Sequence, residues 1–386
     1  MSPASSTERA PRGVALLGST GSIGRSTLQV LARQRERFRV VALTAHSNAE
    51  LLAEQAKEWH PAFVGLVNGG KRETGNGIRR GSDCLVEAAT HPDVRIVVNG
   101  IVGAAGLAAT LAALRAGKRV ALANKETLVM AGELVARAAR EGGGEIVPVD
   151  SEHSAVLQCV AGRRPTELAR LILTASGGPF RTWGAERVSR ATVTEALKHP
   201  TWSMGRKITV DSATLVNKAL EVIEAHFLFN VSYDQIDVVI HPQSVIHGFA
   251  EFVDGSVLAQ VGFPTMELPI LYALTYPDRV PDQGVRRFDP VAAGTLTFEA
   301  LEPGRFPAYV VGRDAARKGG NAPAMFNAAN EVAVQLFLDE QIQFGRIAQI
   351  IEYVVARGRP GAGDTLESVL AADAEARQLA REVACC

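Results

Sequence analysis

The sequence of 386 residues predicts an α/β protein with three parts: an N-terminal parallel sheet, a central α+β region and a C-terminal group of helices. Strand and helix patterns alternate through the first 150 residues, strand-like pieces mix with helices from Leu171 onward, and the pattern is helical after about Leu301. Short, uninterrupted apolar strands that alternate with helices indicate a parallel sheet that is covered on both faces.

The elements of the first part follow one another at regular spacing. The predicted strands cover residues 14–17, 40–43, 63–67, 95–98 and 119–122, the helices cover 22–33, 48–59, 83–89 and 107–116, and a Gly-rich loop covers 68–81. The segment 96–114 has no charge and resembles a membrane span in length. Because glycines interrupt it at Gly100, Gly103 and Gly106, we interpret it as a strand, a turn and a helix.

The later elements are less regular. Strands are predicted at 171–174, 236–240 and 257–261, and helices at 213–229, 266–272, 324–339 and 344–356. Asp364 and Glu367 resemble a capping box that opens a last helix. We expect a disordered tail at 1–12, a first domain at 13–150, a central domain at 151–275, a proline-punctuated linker at 276–301 and a helical domain at 302–386.

The composition excludes several classes of partner. Forty-one basic and 41 acidic residues give a formal net charge of zero, so nothing suggests a nucleic acid or a membrane surface as a partner. The four cysteines show no Cys-x-x-Cys spacing and are typical of free thiols in a reducing compartment. Because the first 12 residues lack the apolar core of a secretory signal, we expect a cytoplasmic protein.

A glycine pattern, Gly18-x-x-Gly21-x-x-Gly24, connects the first predicted strand to the first predicted helix. In a Rossmann-like domain, dinucleotide phosphates meet backbone N–H groups and a helix N-terminus at this position. The spacing departs from G-x-G-x-x-G, and a Gly-rich connection without a ligand remains an alternative from the pattern alone.

The end of the second predicted strand bears on the choice of cofactor. An NAD site usually has Asp or Glu there, whereas this chain has His46, Ser47 and Asn48, with no acid before Glu50. The absence of a carboxylate favours NADP, because a carboxylate would repel its 2′-phosphate.

Three carboxylates form a candidate metal site. Asp150 and Glu152 follow an apolar run, and on an extended segment side chains at i and i+2 point to the same side. Together with Glu221 they would make an all-oxygen site that suits Mg²⁺ or Mn²⁺. The alternative for Glu221 is a solvated helix face on which it pairs with Lys218.

Further polar residues follow predicted strands or open predicted helices. Lys125 lies near the carboxyl ends of the parallel strands, where it could hold an oxygen or pair with Glu126 on the surface. Ser176 begins a Ser-Gly-Gly-Pro turn that could cradle a phosphate or be a plain turn. Ser212 is interpreted as a possible N-cap of the helix predicted at 213–229. The loop that contains His199, Trp202 and Gly205 resembles a lid, although a packed surface loop is equally compatible with it.

Six sequence blocks together resemble one family. They are LLGSTGSIG at 16–24, ALANKETLV at 121–129, PVDSEHSA at 148–155, TASGGPFR at 174–181, HPTWSMG at 199–205 and DSATLVNKALEVIEA at 211–225. Their order and content are similar to those of the 1-deoxy-D-xylulose 5-phosphate reductoisomerase family, whose members belong to the non-mevalonate isoprenoid pathway. The resemblance implies NADPH, Mg²⁺ or Mn²⁺, a sugar phosphate substrate and a homodimer.

The resemblance also implies roles for individual residues. The implied metal ligands are Asp150, Glu152 and Glu221, and the implied contacts of the sugar backbone are Lys125, Ser151 and Glu152. The phosphate would be bound by Ser176, Ser212, Asn217 and Lys218, with His199 nearby. The cofactor site would comprise Thr20, Gly21, Ser22, Ile23, Asn124, Glu126 and Gly205, with His46, Ser47 and Asn48 near the 2′-phosphate, where many members have Gly and Lys in place of His46 and Ser47. The flap would cover 196–206 and include His199, Trp202 and Met204.

The chemistry that the resemblance implies is a rearrangement followed by a reduction. In the mechanism that we favour, a retro-aldol cleavage and rejoining precede hydride delivery, with Glu152 relaying a proton and Lys125 steadying oxyanion charge. The segments 241–244 and 262–266 are interpreted as structural. Two other readings are a semialdehyde dehydrogenase, for which Cys159 is the only plausibly placed nucleophile, and a nucleotide-binding regulator without catalysis.

Overall fold

A computed structural model describes residues 10–68, 77–202 and 204–385 of the chain. Residues 1–9 of the predicted tail, residues 69–76 of the predicted Gly-rich loop and Ser203 of the predicted flap lie outside the described residues. Arg12, which we assigned to the tail, instead opens the first strand, and its guanidinium donates a hydrogen bond to the carbonyl oxygen of Leu274 at 3.0 Å.

The first sheet has seven strands, all parallel, in the order β4-β3-β2-β1-β5-β6-β7. The strands are β1 Arg12–Leu17, β2 Phe38–Ala45, β3 Phe63–Leu66, β4 Ile78–Arg80, β5 Ile96–Asn99, β6 Arg119–Leu122 and β7 Glu145–Pro148. The predicted parallel sheet is therefore confirmed. The loop prediction for 68–81 is wrong at its end, because three residues there pair with β3 as an edge strand.

Helices cover both faces of this sheet, as the uninterrupted apolar strands require. They are α1 Ser22–Arg33, α2 Ala49–Trp59, α3 Cys84–Thr90, α4 Leu107–Arg115, α5 Lys125–Gly142 and α6 Ser151–Val160. The bounds of α1 are those predicted, and Asn48 caps α2 by accepting a hydrogen bond from the backbone N–H of Leu51 at 3.1 Å.

The strand order reverses at β1, which lies between β2 and β5. Ligands of open α/β sheets bind beyond the carboxyl ends of the strands at such a reversal. The turns that follow β1, β5, β6 and β7 therefore converge on one edge of the sheet, and they contain the predicted nucleotide turn, Lys125 and the Asp150–Glu152 segment.

A second, mixed sheet has five strands in the order β11-β10-β8-β9-β12. The strands are β8 Leu168–Ala175, β9 Ile236–Ile240, β10 Ile246–Phe252, β11 Val257–Val261 and β12 Glu299–Ala300, of which only the β8–β9 pair is parallel. We did not predict β10, whose apolar pattern is interrupted by His247 and Gly248. A Cβ on Gly248 would lie 3.2–3.3 Å from atoms of α6, a tight contact, so the glycine allows α6 to pack closely against β10.

Ten helices complete the described part of the chain. They are α7 Ala185–Ser189, α8 Val193–Ala196, α9 Arg206–Thr214, α10 Val216–Phe229, α11 Glu267–Thr275, α12 Pro290–Ala293, α13 Pro307–Lys318, α14 Ala322–Leu338, α15 Phe344–Arg357 and α16 Leu366–Ala384. The helix predicted at 213–229 is in fact two helices, because Leu215 adopts a left-handed conformation with φ of 57°. The last helix is capped by Thr365, which accepts from the backbone N–H of Ser368, and not by Asp364.

The C-terminal helices belong to the largest apolar core, which also contains residues of α9 and α10. Helix α10 packs against α5 on one side and α13 on another, so contacts cross the predicted domain boundaries. Those boundaries stay a prediction. Among the described residues, the helices are too short or too polar to cross a membrane.

Candidate active site

A cavity of about 610 Å³ lies where the carboxyl edge of the first sheet meets β8, α9 and α10. Most of the predicted site residues line it. These are Gly21, Ser22, Ile23, Lys125, Glu126, Asp150, Ser151, Glu152, Ser176, His199, Trp202, Met204, Gly205, Ser212, Asn217, Lys218 and Glu221. Five others lie off its wall, namely Thr20, His46, Ser47, Asn48 and Asn124, so their proposed contacts with a cofactor stay predictions.

The three predicted metal ligands come together. One oxygen from each of Asp150, Glu152 and Glu221 lies within 4.8 Å of the other two. The reasoning from an extended segment is wrong, however, because α6 begins at Ser151 with Asp150 at its N-cap. The start of α6 still places Asp150 and Glu152 beside the end of β7, and α10 supplies Glu221 as the third carboxylate from the opposite side.

Two lysines share these carboxylates. Lys125 Nζ lies 2.7 Å from Asp150 Oδ2 and 3.2 Å from Glu221 Oε1. Lys218 Nζ lies 2.8 Å from Glu152 Oε1, donates to the carbonyl oxygen of Thr174 at 2.5 Å and contacts Glu221 Oε2. The surface alternative for Glu221 is thereby wrong, because its side chain is fully buried.

Burial and mutual attraction set the charges of this cluster. Burial alone would lower the pKa of Lys125, but Asp150 and Glu221 raise it, and the pKa ends well above the ordinary lysine value. Burial and the adjacent Glu152 raise the pKa of Glu221, against the opposing effect of Lys218. Three carboxylates and two ammonium groups thus carry a net negative charge that favours a cation.

A second possible ligand group shares Asp150 and adds His153 and Glu224. Burial raises the pKa of Glu224, against the opposing effect of His153. Burial would lower the pKa of His153, but the neighbouring Glu224 and Asp150 raise it. His153 Nε2 donates to the carbonyl oxygen of Glu221 at 2.8 Å, so this ring links two of the predicted ligands from behind.

The donor set fits a hard divalent cation. Asp150, Glu152 and Glu221 present carboxylate oxygens, the ligands that Mg²⁺ and Mn²⁺ prefer. These residues would hold the metal, which would supply a Lewis acid to substrate oxygens in the cavity.

Hydroxyl and imidazole groups form a compact pocket beside the cluster. The hydroxyl oxygens of Ser176 and Ser212 lie 3.0 and 3.2 Å from His199 Nε2. The backbone N–H of Gly178 donates to Ser176 Oγ at 3.1 Å. Gly178 has φ of 67°, and a Cβ there would lie 2.7 Å from the carbonyl oxygen of Ser212, so the turn approaches α9 closely.

The His199 ring has a defined tautomer. Its Nδ1 accepts hydrogen bonds from the backbone N–H groups of Thr201 and Trp202 at 3.2 and 2.9 Å. The proton therefore lies on Nε2, which faces the two serines. Burial lowers the pKa of this histidine, which keeps the ring neutral.

The break at Leu215 shapes this part of the cavity. Ser212 lies inside α9 and is not an N-cap, whereas Asn217 and Lys218 belong to the first turn of α10. A left-handed leucine is strained, and burial of its side chain in the core holds it there. The change of helix direction brings Ser212 and Lys218 to the same cavity.

The predicted nucleotide turn lies at the cavity. Gly18 has φ of 82°, Gly21 is the N-cap of α1 without a side-chain hydrogen bond to the first turn, and Gly21, Ser22 and Ile23 line the cavity, as a helix N-terminus that binds phosphate would. A Cβ on Gly24 would lie 2.4 Å from the carbonyl oxygen of Gly18, so this glycine permits the tight strand-to-helix turn. The residues present fit a dinucleotide.

Asn124 holds the neighbouring loops in place. Its Nδ2 donates to the carbonyl oxygens of Ile101 and Gly103 at 2.7 and 3.0 Å and to Glu126 Oε2 at 3.1 Å. Its Oδ1 accepts from the backbone N–H of Thr127 at 3.1 Å and so caps α5. At the end of β2, His46 Nε2 lies 3.2 Å from Asn68 Nδ2.

Two segments that we interpreted as structural also line the cavity. Ser244 belongs to the segment 241–244, and Pro264, Thr265 and Met266 belong to the segment 262–266. His247 of β10 also lines the cavity. Trp202 of the predicted flap packs edge-on against the His247 ring, with centroids 6.1 Å apart. The sequence contained these motifs, but nothing in their local pattern indicated which side chains face a cavity.

Cys159 cannot serve as the nucleophile of a semialdehyde dehydrogenase. Its side chain is buried in an apolar cluster, and burial raises the pKa of the thiol to about 11. Catalytic thiols need a low pKa and access to the substrate.

Family models match three segments of the chain. The model for 1-deoxy-D-xylulose 5-phosphate reductoisomerase matches residues 14–132, the model for the C-terminal domain of that enzyme matches 146–229, and a second model, DXP reductoisomerase C-terminal domain, matches 261–379.

Relatives and solved structures agree with these matches. The 1-deoxy-D-xylulose 5-phosphate reductoisomerase of Ralstonia nicotianae is 51% identical over 380 residues, which cover 95% of this chain and 96% of the relative. That of a Synechococcus strain is 50% identical over 384 residues, covering 96% and 97%. The enzyme from Zymomonas mobilis in complex with NADPH superposes with a TM-score of 0.90 at 42% identity, covering 97% of this chain and 99% of that one. A reductoisomerase complex with NADPH, fosmidomycin and magnesium gives 0.92 at 41% identity, covering 97% and 98%.

The carboxylate cluster predicts the effect of neutralising Glu221. Glu221→Gln keeps the shape of the side chain but removes one ligand charge and leaves the cluster without net negative charge. Its affinity for Mn²⁺ should fall by at least about tenfold, because the binding of hard cations depends on ligand charge. Binding is measured by electron paramagnetic resonance, with the exposed Glu375→Gln as the matched control. Equal Mn²⁺ affinity in the two variants would contradict the assignment.

Proposed function

The chain belongs to the 1-deoxy-D-xylulose 5-phosphate reductoisomerase family, and from this premise we propose that it converts 1-deoxy-D-xylulose 5-phosphate (DXP) to 2-C-methyl-D-erythritol 4-phosphate with NADPH and a divalent metal ion. This reaction belongs to the non-mevalonate isoprenoid pathway. The observation that carries the proposal is one cavity that joins a dinucleotide turn, a carboxylate triad with two lysines and a hydroxyl–imidazole pocket. We also propose that the predicted metal, substrate and cofactor residues have the roles that the family resemblance implies.

The phosphate of the substrate would lie in the pocket of Ser176, Ser212 and His199. These groups offer hydrogen bonds from two hydroxyls and from the Nε2–H of a neutral imidazole. Lys218 adds a positive charge at the boundary with the carboxylates, and Asn217 adds an amide that is already oriented by Glu221 at 2.5 Å. Charge-assisted hydrogen bonds of this kind hold a phosphate group in a defined position and orientation.

The carbon chain of the substrate would lie between this pocket and the nucleotide turn. Bound Mg²⁺ or Mn²⁺ supplies Lewis-acid polarisation and bound NADPH supplies the hydride. Lys125 stabilises negative charge that develops on a substrate oxygen. Burial opposes ionisation of Glu152, but Lys218 lowers the pKa of this residue, so it is a carboxylate that can accept a proton. Ser151 Oγ donates to Glu152 Oε2 at 2.5 Å and orients it.

The flap would cover the substrate while the rearrangement proceeds. His199 connects it to the phosphate pocket, since its two ring nitrogens bind the serines on one side and the flap backbone on the other. Trp202 and Met204 line the cavity from above. Exclusion of water by these side chains would protect the separated fragments of a retro-aldol step.

A direct assay tests the function. Purified protein with DXP, NADPH and Mn²⁺ should consume NADPH, followed by absorbance at 340 nm, and yield 2-C-methyl-D-erythritol 4-phosphate, identified by mass spectrometry. Omission of the metal should abolish the reaction. NADPH binding without turnover would overturn this proposal in favour of a nucleotide-binding regulator.

The end of β2 predicts a preference for NADPH over NADH. The exposed hydroxyl of Ser47, just before α2, is an available donor for the 2′-phosphate, and Glu50 is the first acid that follows. Ser47→Asp should replace one charge-assisted hydrogen bond, worth about 1.5–3 kcal/mol, by repulsion. The ratio of kcat/KM for the two cofactors should therefore fall by roughly tenfold to hundredfold. The exposed Ser256→Asp serves as the control, and equal use of NADH by the parent protein would contradict the interpretation.

We further propose that the protein is a homodimer. Support comes from exposed apolar side chains on the β10–β11 hairpin and beside β12, namely Val253, Val257, Leu258 and Phe298. An exposed edge strand with such side chains is a typical protein contact surface. Sedimentation equilibrium should give the mass of two chains, and the mass of one chain would refute the proposal.

A cytoplasmic location is also proposed. The buried free thiols of Cys84 and Cys159 support it, because free thiols are typical of proteins in a reducing compartment.

A further inference from the structure

Lys207 connects two parts of the cavity wall that are distant in sequence. It is the second residue of α9 and follows the flap directly. Its Nζ lies 3.1 Å from Glu126 Oε1 and 2.8 Å from Asp211 Oδ2. All three side chains line the cavity.

Both carboxylates that bind Lys207 are themselves held in place. Glu126 is 4% exposed, and its second oxygen accepts from Asn124 Nδ2 at 3.1 Å. Asp211 is 1% exposed, and its second oxygen accepts from Asn330 Nδ2 of α14 at 2.8 Å. Each acid thus has a second hydrogen-bond partner besides Lys207, and together they define the position of the ammonium group.

The two acids belong to different parts of the fold. Glu126 lies in the first turn of α5, directly after β6, and is one of the residues predicted for the cofactor site. Asp211 lies on α9, one residue before Ser212 of the phosphate pocket. Lys207 therefore fastens the C-terminal end of the flap to the cofactor side of the cavity, across 81 residues of sequence.

Neighbouring carboxylates stabilise the positive charge of Lys207. Burial would lower the pKa of its ammonium group, but Asp211, Glu126 and Glu331 raise it, and the net shift is upward. The ion pair with Glu126 therefore persists across the pH range in which an enzyme of this kind works. Without Lys207, two buried carboxylates would face each other and the anionic cofactor without compensation.

We propose that Lys207 is a positioning residue that couples the flap to the occupied cofactor site through its ion pairs with Glu126 and Asp211. This inference rests on the proposed function, since it assumes that NADPH binds beside Glu126 and that the flap covers the substrate. NADPH that settles against α5 then fixes Glu126, Lys207 and the end of the flap as one unit. The order imposed on the flap makes substrate capture depend on the cofactor.

The test compares flap protection with cofactor affinity. Chymotrypsin should cleave the parent protein after Trp202, and saturating NADPH should slow that cleavage. In Lys207→Met the dissociation constant for NADPH, measured by fluorescence titration, should change by less than about tenfold, whereas NADPH should no longer slow cleavage. The kcat/KM for DXP should fall by about tenfold or more, because a displaced flap misplaces the reacting groups. Exposed Lys57→Met, in the last turn of α2 and outside the flap, is the matched control and should behave as the parent protein does.

Two further variants distinguish the effect of the ion pair from the effect of net charge alone. Lys207→Arg keeps a cation that can reach both carboxylates and should retain NADPH-dependent protection. Glu126→Gln combined with Lys207→Met restores the net charge of the trio but not the ion pair, so it should stay unprotected. This double variant also removes one of the two uncompensated carboxylates, and it serves if Lys207→Met fails to fold.

Protection by NADPH in Lys207→Met, or its recovery in the double variant, would overturn the proposal, as would a parent protein whose flap NADPH does not protect. Failure of the proposed function is distinguishable. In that case the parent protein shows no turnover of DXP, whereas the cleavage experiment still reports on the coupling between NADPH and the flap.

Discussion

Five charged side chains in close contact place the strictest constraint on this structure: buried Lys125, Lys218 and Glu221, and half-buried Asp150 and Glu152. Charges removed from water are costly unless each finds a partner, and removal of one leaves its neighbours uncompensated. Lys125, Asp150 and Glu152 lie at the starts of α5 and α6, directly after strands of the first sheet, whereas Lys218 and Glu221 come from α10. The pairing of these groups therefore requires α10 to lie against the carboxyl edge of the first sheet.

The rest of the cavity follows from that requirement. Once α10 is fixed, the left-handed Leu215 directs α9 back across the cavity and carries Ser212 towards Ser176 at the end of β8. His199 lies between the two serines and is held by backbone N–H groups on its other side. A pocket of hydroxyl and imidazole groups, the proposed phosphate site, thus forms beside the carboxylates from three segments that share no local sequence pattern.

The same arrangement explains why the C-terminal helices belong to the site without lining it. Helix α14 contributes Asn330, which orients Asp211, and residues of α14 share one apolar core with α9 and α10. Their packing holds the helices that carry the polar groups. A buried polar site of this kind needs a rigid apolar support, because its geometry must hold before a ligand arrives.

The sequence by itself determined the parallel sheet, five of its seven strands in their chain order (β1, β2, β3, β5 and β6), and the presence of the three carboxylates. Apolar residues recur with the period of a strand or a helix on the side of the element that is buried. These elements can therefore be predicted from the order of residues. The family resemblance identified Asp150, Glu152 and Glu221 together, although the local pattern alone favoured a solvated Glu221. Tertiary structure decided which charges are buried, how Leu215 divides the helix predicted at 213–229, and that Lys207 meets Glu126. It also decided that Ser244, His247 and Met266 face the cavity. These outcomes depend on contacts between residues that are far apart in the chain, and the pattern around each residue carries no information on its distant partner.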